Sequence, residues 1–595
     1  MNRREVFRAL GVFSMTAGVV LAAGSLIPSS ATAPPADLVL RNGRIVTLNA
    51  GLAAARALAV RDGRIVALGS EREIDACIGP RTEVIDLDGA CAVPGLIESH
   101  AHFESLGRSR LRCDLRAARS WEEVVAVVAE AAARTAPGEW IVGRGWHQEK
   151  WNAGVVAADS PPAEARAGGG GDSPPGGSGA GMPHHEALSR VSPANPVLLT
   201  HASGHAVIAN ALAMQRAGVT AASLDPEGGT ILRDARGQPT GVFLEAAAVP
   251  IQAALARDMA ARPPERIEAE WNQIIAAAGE ACLENGITTF CDAGAEFETI
   301  GRYRRAAENG RLRVRLWAAL SASDSALASR LDEVRTIGAC DHHFTVRAIK
   351  RLYDGALGSR GALLLEPYSD DRATAGLQME TPASLEAIAG LARAHGYQLC
   401  THAIGDRANR EVLDVYARVG SRDLRWRIEH AQHLAAQDIP RFGELGVIAS
   451  MQPCHCTSDG PWVPKRIGET RAAEGAYVWR KLLASGARLC CGTDAPVEPL
   501  DPPANLYAAV TRRMPDGTCF HPDQCLTREE VLRAYTWDAA YAAFEESLKG
   551  SLEPGKLADI TIFDRDILTV PEEELREARV VATIVGGEVR YRAKR

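Results

Sequence analysis

The feature that most constrains this chain is an alternation sustained from residue 97 to residue 494. Short apolar runs, several of them ending in polar or ionisable residues, alternate with Ala- and Leu-rich stretches. The runs are Ile97–Phe103, Ile287–Gly294, Val314–Leu320, Phe344–Tyr353, Gln398–His402, Trp426–His430, Val447–Gln452 and Ala487–Asp494; Glu268–Glu284 and Ser384–His395 are examples of the stretches between. Runs of this length read as strands and the intervening segments as helices, and strands that alternate with helices build a parallel sheet. Eight of them predict an α/β fold, a (β/α)8 TIM barrel, which takes about 250 residues or more as one domain. In that fold the chemistry lies at the C-terminal strand ends, and here those ends carry His, Asp, Lys, His, His and Asp.

Strand-rich pieces bracket the barrel. Leu38–Leu48, Ala57–Leu68 and Thr82–Leu87 are punctuated by Asn42-Gly43, Asp62-Gly63 and Asp88-Gly89, which are hairpin signals. Leu557–Phe563 and Val580–Tyr591 have the same texture, the latter around Gly586-Gly587. Neither piece suffices alone, so residues 36–95 and 545–595 are expected to pair into one small β-sandwich beside a barrel of residues 96–544. An insert of roughly 120–259, with strands such as Trp140–Gly145 and Pro196–His201, is expected to cap the active site. It contains Gly168–Gly181, whose glycines, prolines and serines read as a flexible loop.

Residues 1–33 read as a targeting segment. Arg3, Arg4 and Arg8 precede an apolar run from Ala9 to Ile27, and Ala31-Thr32-Ala33 offers a cleavable site. The Arg3-Arg4 pair, with Phe7 nearby, resembles a twin-arginine export signal. An uncleaved anchor helix is the alternative, although the run is rich in Gly, Ser and Thr. Export to the periplasm, or secretion from a bacterium, is the expectation, with no stable membrane partner once the leader is cleaved. The charge of 66 − 74 = −8 carries no basic footprint for nucleic acid. Thirteen cysteines without a Cys-x-x-Cys pair argue against both a disulfide scaffold and a zinc ribbon.

His100-Ala101-His102 closes the first run, and on a strand residues i and i+2 face the same space, as a metal clamp requires. His402, His430 and Asp494 end later runs. Imidazole and carboxylate together suit zinc or a similar divalent metal, which brings the pKa of bound water toward about 7. Asp494 could bind the metal and also accept the proton of the attacking water.

These residues stand in motifs that resemble the amidohydrolase superfamily, and more narrowly its amidohydrolase-3 branch with the N-substituted formamide deformylases. The motifs are PGLIESHAHF at 94–103, SGHAVIANALAM at 203–214, IKRLYDGALGSRGALL at 349–364, CTHAIGDRAN at 400–409, RIEHAQHL at 427–434, SMQP at 450–453, CGTDAPVEPLDP at 491–502 and GSLEPGKLADITIFD at 550–564. The resemblance implies a distorted barrel with one or two metal ions. His100, His102 and Asp494 would hold the buried ion, and His402 and His430 a second. Lys350 matches the position of a carboxylated lysine bridging the two; pairing with Asp354 or Glu366 is its structural alternative. His205 and Asn210 match cap positions facing the substrate. Tyr353, Asp354 and Arg360 would shape a leaving-group pocket or support it from behind, and Asp406 could orient a ligand.

The function expected is hydrolysis of a non-peptide C–N bond, amide or formamide-like, in a small molecule by metal-activated hydroxide. A deaminase of a heterocycle and a non-catalytic binding protein on the same scaffold are the alternatives. Glu429, one residue before His430 on a strand, is expected to point away from the site and so not to serve a deaminase. A small molecule is the expected partner, with a homodimer left open.

Overall fold

The computed structural model describes residues 34–49, 51–148, 151, 182–202 and 205–594. The leader of residues 1–33 and the Gly168–Gly181 segment therefore lie outside the described residues. Among the described residues no helix is long and apolar enough to cross a membrane.

Eight parallel strands form the central sheet: β1 (Leu96–Ala101), β2 (Ile287–Ala295), β3 (Arg315–Leu320), β4 (Phe344–Leu352), β5 (Gln398–Ala403), β6 (Arg427–His430), β7 (Ile448–Met451) and β8 (Leu489–Cys491). They follow one another in sequence order from β1 to β8, and a short strand, Thr336–Gly338, is added antiparallel to β4. All eight fall on the runs read from the sequence. β1, β3, β6, β7 and β8 are buried along their whole length, as strands with helices outside and side chains inside must be. Helices such as Pro264–Glu284 and Pro382–Ala394 cover the outer faces.

β1 and β8 share no ladder, so the barrel has a seam, which is closed at its C-terminal end. The Asp494 backbone N–H donates to the His100 carbonyl at 2.8 Å. The Glu98 carboxyl group accepts from the Thr493 backbone N–H at 2.8 Å and from the Thr493 hydroxyl at 2.9 Å. Gly492 permits this approach: a Cβ there would fall 2.3 Å from Glu98 Oε1 and 2.7 Å from the His100 nitrogen.

Both ends of the chain build the sandwich. One sheet pairs Leu38–Arg41, Ala57–Arg61, Arg64–Gly69 and Glu83–Asp86. The other runs Glu588–Arg592, Val580–Val585, Ile560–Phe563, Cys91–Pro94, Arg44–Asn49, Leu52–Ala55, three strands from each end. Leu38, Leu40, Ile45, Leu58, Ile560, Ile562 and Ile584 fill the space between them. Only Asp62-Gly63 of the three early turns makes a hairpin; its φ angles are 51° and 72°. Asn42-Gly43 and Asp88-Gly89 are corners at which the chain changes sheet, a difference of strand partner that a turn dipeptide does not encode. Gly586-Gly587 turns the last hairpin with φ 58° and 77°. The sandwich is tied to the barrel floor by a buried pair: Asp559 accepts from Arg315 Nε at 2.8 Å and Nη2 at 3.1 Å, and from the Gly586 backbone N–H at 2.8 Å.

The insert carries a six-stranded sheet in the order Gly229–Arg233, Pro239–Glu245, Ala206–Ala209, Val197–His201, Ile141–Trp146, Cys113–Asp114. It takes in a strand before residue 120, so the inserted unit starts earlier than the composition suggests. All thirteen cysteines are free; Cys490 and Cys491 are buried on β8, whereas Cys454 and Cys456 lie on the helix Pro453–Asp459.

Candidate metal centre and active site

Each centre residue is placed by the end of a strand. On β1, Glu98 and His100 share the inward face, and His102 stands just beyond, at the head of the helix Phe103–Leu111. After β8 the backbone turns through a left-handed residue, Asp494 with φ 60°, which carries its carboxylate across the seam. There Oδ1 lies 3.2 Å from His102 Nε2 and 3.7 Å from His100 Nε2. His430 ends β6 with φ 74°, and its ring centroid is 4.7 Å from that of His100 and 4.5 Å from that of His402. Lys350, near the end of β4, is buried. His100, His102, Lys350, His402, His430 and Asp494 all line one cavity of about 540 Å³ at the C-terminal end of the barrel. Its wall also holds Leu352, Leu357, Trp462 and Val497, an apolar side facing the polar floor.

Among the described residues, two donor groups have ligand atoms within 4.8 Å of one another: His100, His102 and Asp494, and His430, His455 and Asp494. His455, on the helix after β7, is not singled out by any spacing in the sequence. His402 lies in the same cavity but outside both groups, its Nε2 3.6 Å from Asp354 Oδ1.

Glu429 corrects the expectation from strand alternation. It faces inward: its Oε2 is 2.5 Å from His100 Nδ1, and its Oε1 is 2.8 Å from Arg427 Nε, all three side chains being almost fully buried. The left-handed φ of His430 breaks the alternation, so Glu429 and His430 both reach the interior from neighbouring positions. Arg427 also donates to the Ser99 carbonyl and the Ser450 hydroxyl, each at 2.8 Å. His430 Nδ1 is held in turn by Gln452 Oε1 at 2.7 Å. Such outer partners set the direction in which an imidazole presents its other nitrogen.

Burial, with Lys350 nearby, pushes the His100 imidazole down to about 4 and the His402 imidazole to about 3. It carries His430 well below the ordinary histidine range. Burial also lowers Lys350. For Asp494 burial acts upward, but His102 and the imidazoles of His100 and His430 outweigh it and hold the carboxyl well below the usual range. The result is neutral imidazoles around an ionised carboxylate, the protonation state a divalent cation requires of its ligands. His402 Nε2, His455 Nε2 and Asp494 Oδ1 are buried without a hydrogen-bond partner. Polar atoms left unpaired around one centre fit a cation and the ligands it brings.

The other residues expected at the site are placed differently. The structure corrects Asn210: its side chain caps the helix Ala211–Ala217 by accepting from the Ala213 N–H, accepts from the Val197 N–H, and donates to the Ser192 and Asn195 carbonyls. With its polar atoms so occupied it holds the cap together rather than facing a substrate. His205 is exposed beside Glu245, 3.0 Å away, and does not line the cavity. Arg360 pairs with Asp370 at the surface, and the Tyr353 hydroxyl donates to Glu411. Asp354 accepts from the backbone N–H groups of Leu363, Ile404 and Gly405, so it braces the loops behind His402. Lys350 pairs with neither Asp354 nor Glu366, and Asp406 accepts from the Leu365 and Arg407 N–H groups.

Residues 83–591 match the model of the amidohydrolase family. The chain belongs to that family. This amidohydrolase is 33% identical over 573 residues to LONG AFTER FAR-RED 3 of Arabidopsis thaliana, covering 93% of this chain and 92% of that protein. It is 28% identical over 568 residues to the N-substituted formamide deformylase of Arthrobacter pascens, covering 93% and 98%. Among solved structures it resembles an uncharacterized metal-dependent hydrolase from Pyrococcus furiosus, with a TM-score of 0.69 and 27% identity over 89% of this chain and 100% of the other. In this amidohydrolase the donor set gathers where the barrel fold places chemistry, at the C-terminal strand ends.

Proposed function

We propose that this amidohydrolase hydrolyses a non-peptide C–N bond, of amide or formamide type, in a small molecule, with zinc as the resident metal. The observation that carries the reading is the cluster His100–His102–Asp494, two imidazoles converging on an ionised carboxylate at the floor of a half-apolar cavity. These three residues would hold the ion, with His430 beside them and His402 and Lys350 available to a second; a carboxylated Lys350 bridging the two belongs to the same proposal. When bound, such an ion polarises an acyl oxygen and lowers the pKa of water.

The chain's own residues supply the rest. Asp494, kept ionised, accepts the proton of the attacking water as its oxygen bonds to the acyl carbon, and returns it to the nitrogen as the C–N bond breaks. Leu352, Leu357 and Trp462 offer the substrate's apolar part an apolar wall. The formamide deformylase of Arthrobacter pascens supports the bond type. Glu429 does not favour a deaminase, because it is fully buried behind His100, its Oε2 accepting from both His100 Nδ1 and Arg427 Nη2.

Zinc-loaded protein assayed against N-substituted formamides, acyl amino acids, hydantoins and esters tests the reading. Cleavage of the C–N bond in one of the first three is expected, releasing amine from a formamide or acyl amino acid or opening a hydantoin ring, with kcat at least about a hundredfold lower in Asp494→Asn. Ester cleavage alone, or an unaffected Asp494→Asn, would overturn it. Export belongs to the same proposal, and N-terminal sequencing of the periplasmic protein tests cleavage near Ala33.

A further inference from the structure

The three buried histidines around Asp494 present different hydrogen-bonding partners to their Nδ1 atoms. His100 Nδ1 faces a carboxylate oxygen of Glu429, and His430 Nδ1 faces Gln452 Oε1, whose amide is fixed by its Nε2 donating to the Ser450 carbonyl at 3.2 Å. Oxygen acceptors require both Nδ1 atoms to carry hydrogen, so each ring turns an Nε2 lone pair toward the centre. His455 is the reverse. Its Nδ1 lies 3.2 Å from Gln432 Nε2, an amide nitrogen that can only donate. A ring that accepts at Nδ1 carries its hydrogen on Nε2, and a nitrogen bearing hydrogen does not coordinate a cation.

That Nε2–H is buried, has no hydrogen-bond partner and lies 3.9 Å from Asp494 Oδ2, beyond hydrogen-bonding reach. The ring lines the cavity parallel to that of His430, with an interplanar angle of 17°. We infer that His455, although its position would let it join a metal-binding group, is a catalytic hydrogen-bond donor that receives the acyl oxygen of the substrate as negative charge develops on it. The inference rests on the proposed C–N hydrolysis and deepens it: the substrate must present an acceptor oxygen on the carbon under attack. A donor already fixed in place stabilises that charge without reorganising during the reaction. Gln432 is the positioning residue that sets the tautomer.

The experiment has two arms. In the first, apoprotein of His455→Ala, His455→Gln and His100→Ala is titrated with zinc against a chromophoric chelator. His455→Ala and His455→Gln should bind zinc with the parent stoichiometry and with an affinity within about threefold, while His100→Ala loses it by tenfold or more, on the scale expected even for outer-sphere changes. Loss of zinc from His455→Ala comparable to that from His100→Ala would make His455 a ligand and overturn the inference. In the second arm, on a substrate found in the amide screen, His455→Ala should lower kcat by about 10²–10³-fold with KM nearly unchanged, the cost of removing one oxyanion donor. His455→Gln, which restores an N–H at nearly the same reach, should regain at least about tenfold of that. Unchanged kcat in His455→Ala overturns the inference. A screen without any amide substrate overturns the proposed function instead, and the zinc arm still decides whether His455 is a ligand.

Discussion

Replacing Glu429 by Gln isolates what the buried Arg427–Glu429–His100 chain contributes. The substitution keeps the shape and one oxygen but removes the charge that fixes the His100 Nδ1–H and balances Arg427. Loss of an outer-sphere partner of a metal-binding histidine typically costs 10–100-fold in metal affinity, about 1.4–2.7 kcal/mol. A second, separable cost follows from burial. Arg427 is 2% exposed and would be left with the Ser99 carbonyl and the Ser450 hydroxyl but no anion. Removing one partner of a buried ion pair costs about 3–5 kcal/mol, and the retained amide oxygen places Glu429→Gln near the lower end. Zinc affinity of the apoprotein by chelator competition reads the first quantity, and the urea midpoint of the zinc-free protein reads the second.

The pH dependence has a defined direction. Burial pushes the Glu429 carboxyl up, but Arg427 and His100 outweigh it and hold it far below the ordinary value. Its contribution is therefore fully present above the unfolded glutamate pKa of about 4.3 and is lost as pH falls below that. Glu429→Gln should flatten the acid limb of the stability curve. Zinc affinity equal to the parent's, in a variant with native circular dichroism, would refute the orienting role.

Three further outcomes are expected. Asp559→Ala leaves Arg315 buried without an anion and should lower the first unfolding transition by about 3–5 kcal/mol, while Arg315→Met combined with Asp559→Leu recovers most of the loss in urea titrations. Asn210→Ala removes a helix cap and the acceptor of the Val197 N–H, so the cap should weaken by about 2–3 kcal/mol, read by proteolysis, with kcat/KM of the folded protein within about twofold; a tenfold rise in KM at unchanged stability would return Asn210 to the substrate. Zinc at about 1,000 times its Kd should stabilise the apoprotein by about 4 kcal/mol through binding linkage, and a dicarboxylate chelator should reverse both that gain and activity; an unshifted melting temperature would show that the ion is not held by the folded state.

The barrel was legible because each strand is a short apolar run, several of the runs closing in a polar or ionisable residue, and the His100–His102 spacing carries its own geometry. Glu429 was not, because the left-handed φ that turns it inward belongs to His430, and nothing in a Glu-His dipeptide announces a break in alternation. His455 sits three residues beyond Gln452 in a helix whose packing, not its spacing, brings it to Asp494; its place shortly after a strand end was the usable signal. Asn210 was misread against a plain local cue, since Asn before Ala-Leu-Ala-Met is an ordinary helix start. The paired sandwich ends were visible in texture, but which turn joins partners and which changes sheet depends on contacts made hundreds of residues away.

The seam between β1 and β8 gives the centre an order of assembly. His102 and Asp494 come from opposite ends of the barrel sequence, so no ribosome-bound fragment that stops short of β8 contains the His100–His102–Asp494 group. Bringing those two positions together closes nearly the whole barrel chain into one loop, which by the logarithmic law costs about 5 kcal/mol beyond a constant. A cation held across the join repays part of that cost only after the last strand has arrived. On the proposed ligand set, metal capture would thereby be a late event in the birth of the molecule, and a chain that had acquired its ion there would already have finished its barrel.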